Sequence, residues 1–136
     1  MILALQTNMP GRLRVWLFDR RGRVRQTVQR RVRWHGAEWA LRLVDQALRL
    51  EKKTIGEVTG LMVVRGPGPF SAVRTGLIIA NTISQLNRLP VLGLVRAHEL
   101  LTQDLATRVG QLGKAQSPII KPWYGRAPNI TRAEKR

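Results

Sequence analysis

The hydrophobic pattern of this chain changes period along its length, and that change constrains the fold more than any other feature. Apolar residues at 2–5 and 13–18 form short runs of strand length. From about residue 36 to residue 53 they recur every three or four residues, as on an amphipathic helix. The uninterrupted apolar run at 61–64 is typical of a strand buried on both faces of a parallel sheet. The sequence therefore predicts an α/β fold.

The second and third strands are predicted to form a hairpin. The second strand ends at the sequence DRRG, 19–22, where Gly22 is free to adopt a positive φ and return the chain antiparallel. Alternation in the third strand predicts that one face packs and the other carries arginines. The packed face would hold Val24, Val28, Val32 and Trp34, and the other face Arg23, Arg25, Gln29, Arg31 and Arg33.

The rest of the chain alternates helices with buried strands. The pattern predicts a long helix over 70–86, a strand over 91–95 and a third helix over 97–109. The order β-β-β-α-β-α-β-α is that of ribonuclease-H-like domains, which include the actin-like ATPases (the ASKHA fold). It predicts a single domain with a mixed sheet and helices on both faces. We assign residues 1–109 to this domain, 110–117 to a short loop and 118–136 to an extended basic tail.

The composition fits one folded domain and argues against several chemistries. Of the 136 residues, 43% are hydrophobic, which is enough to bury a core. The chain has no cysteine, so disulfides, thiol catalysis and Cys-ligated zinc are excluded. His35 and His98 are far apart in sequence, and neither lies in a metal-binding spacing. We predict no metal site and no cofactor.

The sequence also gives no sign of a membrane segment. No apolar run approaches the roughly 18 residues that a membrane span needs. The first apolar residues meet Arg12 too early for a signal peptide. We therefore expect a cytoplasmic protein with no membrane partner.

Positive charge is concentrated towards the two ends of the chain. The formal net charge is +16, of which residues 1–33 carry +8, residues 34–109 carry +3 and residues 110–136 carry +5. An arginine-bearing sheet face predicts RNA contacts, with tryptophans nearby for base stacking. The alternative is a face that maintains solubility or meets an acidic protein. The predicted RNA contacts are Arg23, Arg25, Arg31 and Arg33.

The most specific string in the chain is GPGPFSAVRTG, at 66–76, between a buried strand and a helix. Glycines permit a tight strand-to-helix turn and prolines stiffen it, so this string predicts a rigid elbow. It is not a nucleotide-binding P-loop, because no Lys-Ser/Thr pair closes the glycine-rich stretch. The elbow residues are Gly66, Pro67, Gly68 and Pro69.

The helix after the elbow carries small residues at every fourth position, Ala72, Gly76 and Ala80. A row of small side chains lets a second helix approach closely, either in the same molecule or in a partner. The helix over 36–53 has an apolar arc wider than one sheet contact requires. Two adjacent helices with spare apolar surface therefore predict a helical interface.

Several of these strings together resemble the TsaB (YeaZ) family, the dimerisation subunit of the bacterial machinery that makes threonylcarbamoyladenosine in tRNA. They are the elbow string, the opening ILALQTN, His35 at the start of the first long helix, PVLGLVRAHELL, and the terminal PIIKPWYGRAPNIT. The resemblance covers residues 1–109 and 118–131. Family members usually carry a second domain of related fold, so this chain resembles a member that lacks most of that domain.

The resemblance implies a non-catalytic scaffold subunit that pairs through its helices with the catalytic paralogue TsaD. It also implies TsaE as a further partner, tRNA as a partner of the complex, and a homodimer through the same helices as an alternative. An independent small RNA-binding protein on a degenerate ribonuclease-H-like fold is the alternative function. The residues that we assign to the helical interface are Trp39, Leu43, Ala72, Gly76, Ile79 and Ile83.

The sequence supplies little catalytic chemistry. Ribonuclease-H-like nucleases and actin-like ATPases hold a divalent metal with carboxylates near the first strand. Here that position has Gln6, followed by threonine and asparagine, where relatives commonly have aspartate. Ser71 lies at a helix start with no histidine close in sequence, which indicates local hydrogen bonding rather than a nucleophile. We predict no catalytic residue.

Overall fold

The structure is a computed structural model that describes residues 1–9, 11–33, 36–66 and 70–94. These residues form a five-stranded mixed sheet and two α-helices, α1 and α2, with a short 3-10 helix at Ile55–Glu57. Neither α-helix is both long and apolar enough to span a bilayer. The elements are β1 Ile2–Gln6, β2 Arg12–Phe18, β3 Val24–Arg31, α1 Gly36–Leu50, β4 Gly60–Val64, α2 Phe70–Asn87 and β5 Val91–Leu94.

The spatial order of the strands is β3-β2-β1-β4-β5. Strands β1 and β2, and β2 and β3, pair antiparallel, whereas β4 is parallel to both β1 and β5. Each parallel neighbour is reached through a helix, as parallel pairing requires. The described elements confirm the predicted α/β order. The third helix, expected over 97–109, and the segments 110–117 and 118–136 lie outside the described residues.

The turn between β2 and β3 is held by Asp19. Its Oδ1 accepts hydrogen bonds from the backbone N–H groups of Arg21 and Arg23, both at 2.9 Å. Gly22 has φ 82°, the left-handed conformation that glycine adopts without steric cost. The predicted turn is confirmed, and its two side-chain hydrogen bonds fix the backbone between the strands.

Both faces of the sheet are buried, and both described helices pack on the same face. That face carries Leu3, Leu5, Val15 and Leu61, which pack with buried residues of α1 and α2. The opposite face has its own cluster of buried side chains. The helix that was expected on that face lies outside the described residues. The second cluster consists of Ile2, Ala4, Trp16, Phe18, Met62, Val64 and Leu94.

A β-bulge changes the predicted faces of β3. Val28 lies opposite Val15 on the helix side and is 7% exposed, as its position in the alternation predicts. The pairing shifts between Leu17 and Phe18, so that Val24 lies opposite Phe18, whose side chain belongs to the other face. The prediction that Val24 and Val28 share a packed face is wrong. Because a bulge inserts one extra residue, it moves Val24 to the other side of the sheet.

Candidate functional site

The residues assigned to a helical interface lie mostly inside the domain. Leu43, Gly76 and Ile79 are buried, and Leu43 and Ile79 belong to the core on the helix side of the sheet. Trp39 and Ile83 are half-buried and pack against the same core. The predicted faces of both helices therefore point inward, because the apolar arc chosen from the sequence is the one that covers the sheet.

Gly76 and Ala72 serve the contact of α2 with the sheet. The Thr7 hydroxyl, at the end of β1, donates a hydrogen bond to the Ala72 carbonyl at 2.6 Å. A Cβ built on Gly76 would overlap Thr7 Oγ1 and lie 3.0 Å from Thr7 Cγ2. Ala80, the third member of the small-residue row, is also buried. The row thus lets α2 approach its own sheet, and Thr7 fills the space beside Gly76.

The ring of Trp39, one of the predicted interface residues, contacts two arginine side chains. The Arg30 guanidinium lies 3.4 Å from the ring centroid, and that of Arg42 lies 4.9 Å from it. Arg30 comes from β3 and Arg42 from α1. The stacked guanidiniums stabilise the contact between the helix and the edge of the sheet.

The outward side of the helices carries a different set of apolar residues, which sequence reasoning missed. Ile78 is 60% exposed and Leu86 is 78% exposed, and Thr82 between them is exposed as well. Their spacing of four places them on one side of α2. On α1, Leu41 is 52% exposed. We call Leu41, Ile78, Thr82 and Leu86 the outer helix surface. In the sequence, the four-residue spacing of Ile78, Thr82 and Leu86 is the signal from which this surface could have been found.

The carboxyl end of β1 carries amide and hydroxyl groups. The Gln6 side-chain amide donates to Asn8 Oδ1 at 3.0 Å, and Gln6 Oε1 is buried with no hydrogen-bond partner among the described residues. Arg65 Nε, just after the end of the adjacent β4, is also buried, and the part of the chain that the structure describes offers it no hydrogen-bond acceptor. Within the described ranges no three His, Cys, Asp or Glu side chains cluster. The side chains at this position do not fit a Mg²⁺ ion, because Mg²⁺ is bound by carboxylate oxygens in such folds.

The elbow is described only at its first residue. Gly66 has φ 130°, a conformation that favours glycine. Pro67, Gly68 and Pro69 lie outside the described residues, as do His35 and His98 and the side chain of Ser71. The predicted roles of these residues stay predictions.

The structure does not bring the four predicted RNA-contact arginines onto one face. Arg25 Nε lies 3.8 Å from Glu51 Oε1, just after the end of α1. Arg31 lies opposite Arg12 in the ladder, on the face away from the helices. Arg23 belongs to the turn, at the other end of β3. Arg33 is exposed beyond the end of β3. The bulge separates the side chains that simple alternation groups together.

One titratable group in the hairpin has a shifted pKa. The backbone N–H of Arg23, followed by that of Arg21, hydrogen-bonds to the Asp19 carboxylate and lowers the pKa of Asp19. Nearby arginine charges act in the same direction. Asp19 is therefore ionised throughout the neutral range, and its charge belongs to the turn.

Comparison with known proteins identifies the family. Residues 30–122 match the profile of the family described as "TsaD: tRNA N6-adenosine threonylcarbamoyltransferase". The threonylcarbamoyltransferase of Geobacter sulfurreducens is 38% identical over 58 residues, which is 41% of this chain and 17% of that protein. The one from Cryptococcus neoformans is 27% identical over 60 residues, 44% of this chain and 16% of that protein.

A solved structure shows the same fold. YeaZ from Pseudomonas aeruginosa superposes with a TM-score of 0.62 and 25% sequence identity, over 68% of this chain and 43% of YeaZ. The predicted resemblance to YeaZ and the ribonuclease-H-like fold are confirmed. The chain spans less than half of the length of each of these proteins. With the fold of YeaZ and a family match over residues 30–122, the chain belongs to the TsaD threonylcarbamoyltransferase family.

Proposed function

We propose that this chain acts in the formation of threonylcarbamoyladenosine in tRNA, as a non-catalytic subunit that pairs with the larger catalytic paralogue TsaD. The observation that carries the proposal is the family match over residues 30–122 on a YeaZ-type fold. The proposed site of action is the cytoplasm. TsaE is a further proposed partner, and tRNA is met as the substrate of the whole complex.

The residues at the end of β1 support a non-catalytic role. A transferase of this fold class that handles a phosphate-bearing substrate with Mg²⁺ needs carboxylate oxygens near that strand. Gln6 is neutral, 2% exposed and hydrogen-bonded to Asn8. A neutral amide does not balance the charge of a divalent cation, so the chemistry is assigned to the partner.

The outer helix surface supports pairing through α1 and α2. Ile78 and Leu86 expose most of their apolar side chains, and Thr82 between them adds no charge. Burial of such side chains against another helix removes apolar area from water, which is the main favourable term in association. The interface that we propose is therefore this surface, in place of the inward-facing residues first assigned to it. A homodimer through the same surface is the state expected without TsaD.

Native mass spectrometry of the chain, alone and mixed with TsaD, tests the proposal. The charge of an aspartate at position 78 would be desolvated in the interface, so Ile78→Asp should weaken the heterodimer at least tenfold. Val24→Asp is the matched control, because Val24 is a similarly exposed apolar residue, at 50%, on the remote hairpin. It should leave pairing unchanged.

The outcomes separate the two candidate functions. A wild-type chain that forms no complex with TsaD, yet binds RNA, would replace this proposal with the independent RNA-binding function. Equal loss of pairing in Ile78→Asp and Val24→Asp would show that the interface lies elsewhere. Threonylcarbamoyl transfer to tRNA by the reconstituted complex, dependent on addition of the chain, is the expected functional readout.

A further inference from the structure

The hairpin formed by β2 and β3 carries arginines that the carboxylates of the described residues leave mostly unpaired. Residues 11–33 contain nine arginines and one carboxylate, Asp19. Among the described carboxylates, only Glu51 forms an ion pair with one of these arginines, Arg25. The helix α1 differs, since both of its arginines pair with carboxylates one turn away, Arg42 with Glu38 and Arg49 with Asp45. Most guanidinium groups of the hairpin are therefore available to bind another molecule.

One group of these arginines lies on a fixed turn. We call Arg20, Arg21 and Arg23 the hairpin tip; all three are exposed. The Asp19 carboxylate accepts two backbone hydrogen bonds across this turn, and Asp19 N–H donates to the Arg23 carbonyl at 2.9 Å. Because the backbone is already fixed, a ligand that binds the tip does not have to order it.

A second group lies at the other end of the same hairpin. We call Arg12, Arg14 and Arg31 the hairpin base. Arg12 and Arg31 are direct cross-strand partners, and Arg14 is the next residue on the same face, 5.4 Å from the Trp16 ring centroid. Like charges directly opposite in a sheet destabilise it. This pair thus costs stability in the free protein, and a bound anion relieves that cost.

We propose that the unpaired arginines of this hairpin, from its tip to its base, bind the sugar–phosphate backbone of RNA. The strand β2 runs for seven residues from Arg12 of the base to Phe18, just before the turn that carries the tip, which is about 20 Å at the rise of a β-strand. A polyanion with regularly repeated charges contacts both groups at once. Arginine suits phosphate because its planar guanidinium donates two parallel hydrogen bonds. Exposed Gln29 and Thr27, between the groups, supply neutral donors.

The inference rests on the proposed function only for the choice of tRNA as the RNA. Pairing with TsaD depends on α1 and α2, whereas RNA contact depends on the hairpin, so the two fail independently. The surface also differs from the one expected from sequence alternation. It drops Arg25, which is paired, and Arg33, which lies beyond the end of β3, and it adds Arg12, Arg14, Arg20 and Arg21.

The first test compares triple variants of the full chain that lose the same charge. A tRNA transcript is the probe, and its dissociation constant is measured against salt concentration. Changing the tip arginines to Gln, or the base arginines to Gln, should weaken binding several-fold and reduce the salt slope by about 2, as three lost phosphate contacts require. The control is Arg42→Gln, Arg49→Gln and Arg74→Gln on the helices, which should leave both quantities near wild type.

The second test asks whether RNA binding depends on the fixed backbone of the turn or only on the net charge of the chain. Asp19→Asn and Asp19→Ala raise the net charge equally, but only asparagine keeps a side-chain oxygen that accepts the hydrogen bonds from Arg21 and Arg23. Asp19→Asn should bind tRNA at least as well as wild type, and Asp19→Ala should bind it several-fold more weakly. Equal tightening in both variants would overturn the claim that the tip is preorganised.

Two results overturn the proposal as a whole. One is an equal loss in the helix control and the hairpin variants, which would reduce the effect to net charge. The other is binding of polyglutamate of matched length as tightly as tRNA, with the same dependence on the hairpin arginines. That second result would assign the surface to an acidic protein.

Discussion

The centre and the edge of the sheet differ in what their side chains contact. Every residue of β1 and of β4 is buried, five in each strand. In the edge strand β3 only Val28 of eight residues is buried. The central strands are nearly all apolar, whereas β3 carries three arginines. The free energy of folding therefore comes mainly from the central strands. The exposed side chains of β3 contribute less to it and are available for binding.

The largest effect that we expect from this difference is the loss of stability when a core side chain is truncated. Leu3, in β1, is 1% exposed and belongs to the core under the helices. Leu3→Ala should lower the free energy of unfolding by about 3 kcal/mol, because it removes buried methyl groups and leaves a cavity. Val24→Ala, on the edge, should change it by less than about 0.5 kcal/mol. Urea unfolding of both variants tests the comparison, and equal losses would refute it.

The next effect tests how closely α2 approaches the centre. Gly76→Ala should lower the free energy of unfolding by about 2 kcal/mol, because the new methyl group overlaps Thr7, whose branched side chain has little freedom to move. Alanine at an open helix position would instead raise stability by about 1 kcal/mol. The sign of the change therefore distinguishes a close contact from an open one.

A double-mutant cycle attributes that cost to Thr7. In a Thr7→Ala background the hydroxyl and methyl nearest to position 76 are gone. Gly76→Ala should then cost clearly less than it does in the wild type, which gives a coupling energy of about 1 kcal/mol. Additive losses would place the strain elsewhere.

A smaller effect is expected where the edge meets α1. Arg30→Gln removes the guanidinium 3.4 Å from the Trp39 ring centroid and should cost about 0.5–1 kcal/mol. Arg31→Gln is the matched control on the other face of β3. It removes half of the Arg12–Arg31 like-charge pair and should be neutral or slightly stabilising. Denaturation midpoints of the two variants should move in opposite directions, or the first alone should move.

The smallest effect is a pH dependence at the turn. The Arg23 and Arg21 N–H groups lower the folded-state pKa of Asp19, so its contribution to stability is present above its unfolded pKa. That contribution is lost as the pH falls from about 4 through the folded pKa. Asp19→Asn keeps the turn without this titration. Its stability relative to wild type should rise below about pH 4, and a constant difference would contradict the assignment.

Much of the fold follows from the sequence because its signals are local. The apolar run at 61–64 is β4, the periodic segment from 36 is α1, and Gly22 has the positive φ that the hairpin turn requires. The neutral Gln6 at the end of β1 was also identified from its position alone. Each of these depends on residues close together in the chain.

The errors concern contacts between distant parts of the chain. The bulge opposite Phe18 depends on the pairing of two strands, so alternation in β3 alone misplaced Val24. Helix spacing also does not show that Thr7, 69 residues before Gly76, fills the space beside that glycine. Periodicity shows that a helix has an apolar side, but what covers that side is a tertiary property.

Among the described strands, β3 lies at one edge of the sheet, and this position bears on how the chain behaves at high concentration. An open edge strand presents unpaired N–H and C=O groups on which another chain can add a strand, which leads to aggregation. Here Arg25, Arg30 and Arg31 repel a second copy of the same edge, and the bulge opposite Phe18 bends the strand out of register. These three arginines, of which Arg31 is also assigned to RNA contact, therefore keep copies of the chain from joining sheet to sheet. Their replacement by neutral β-forming residues should cost colloidal stability before it costs folding.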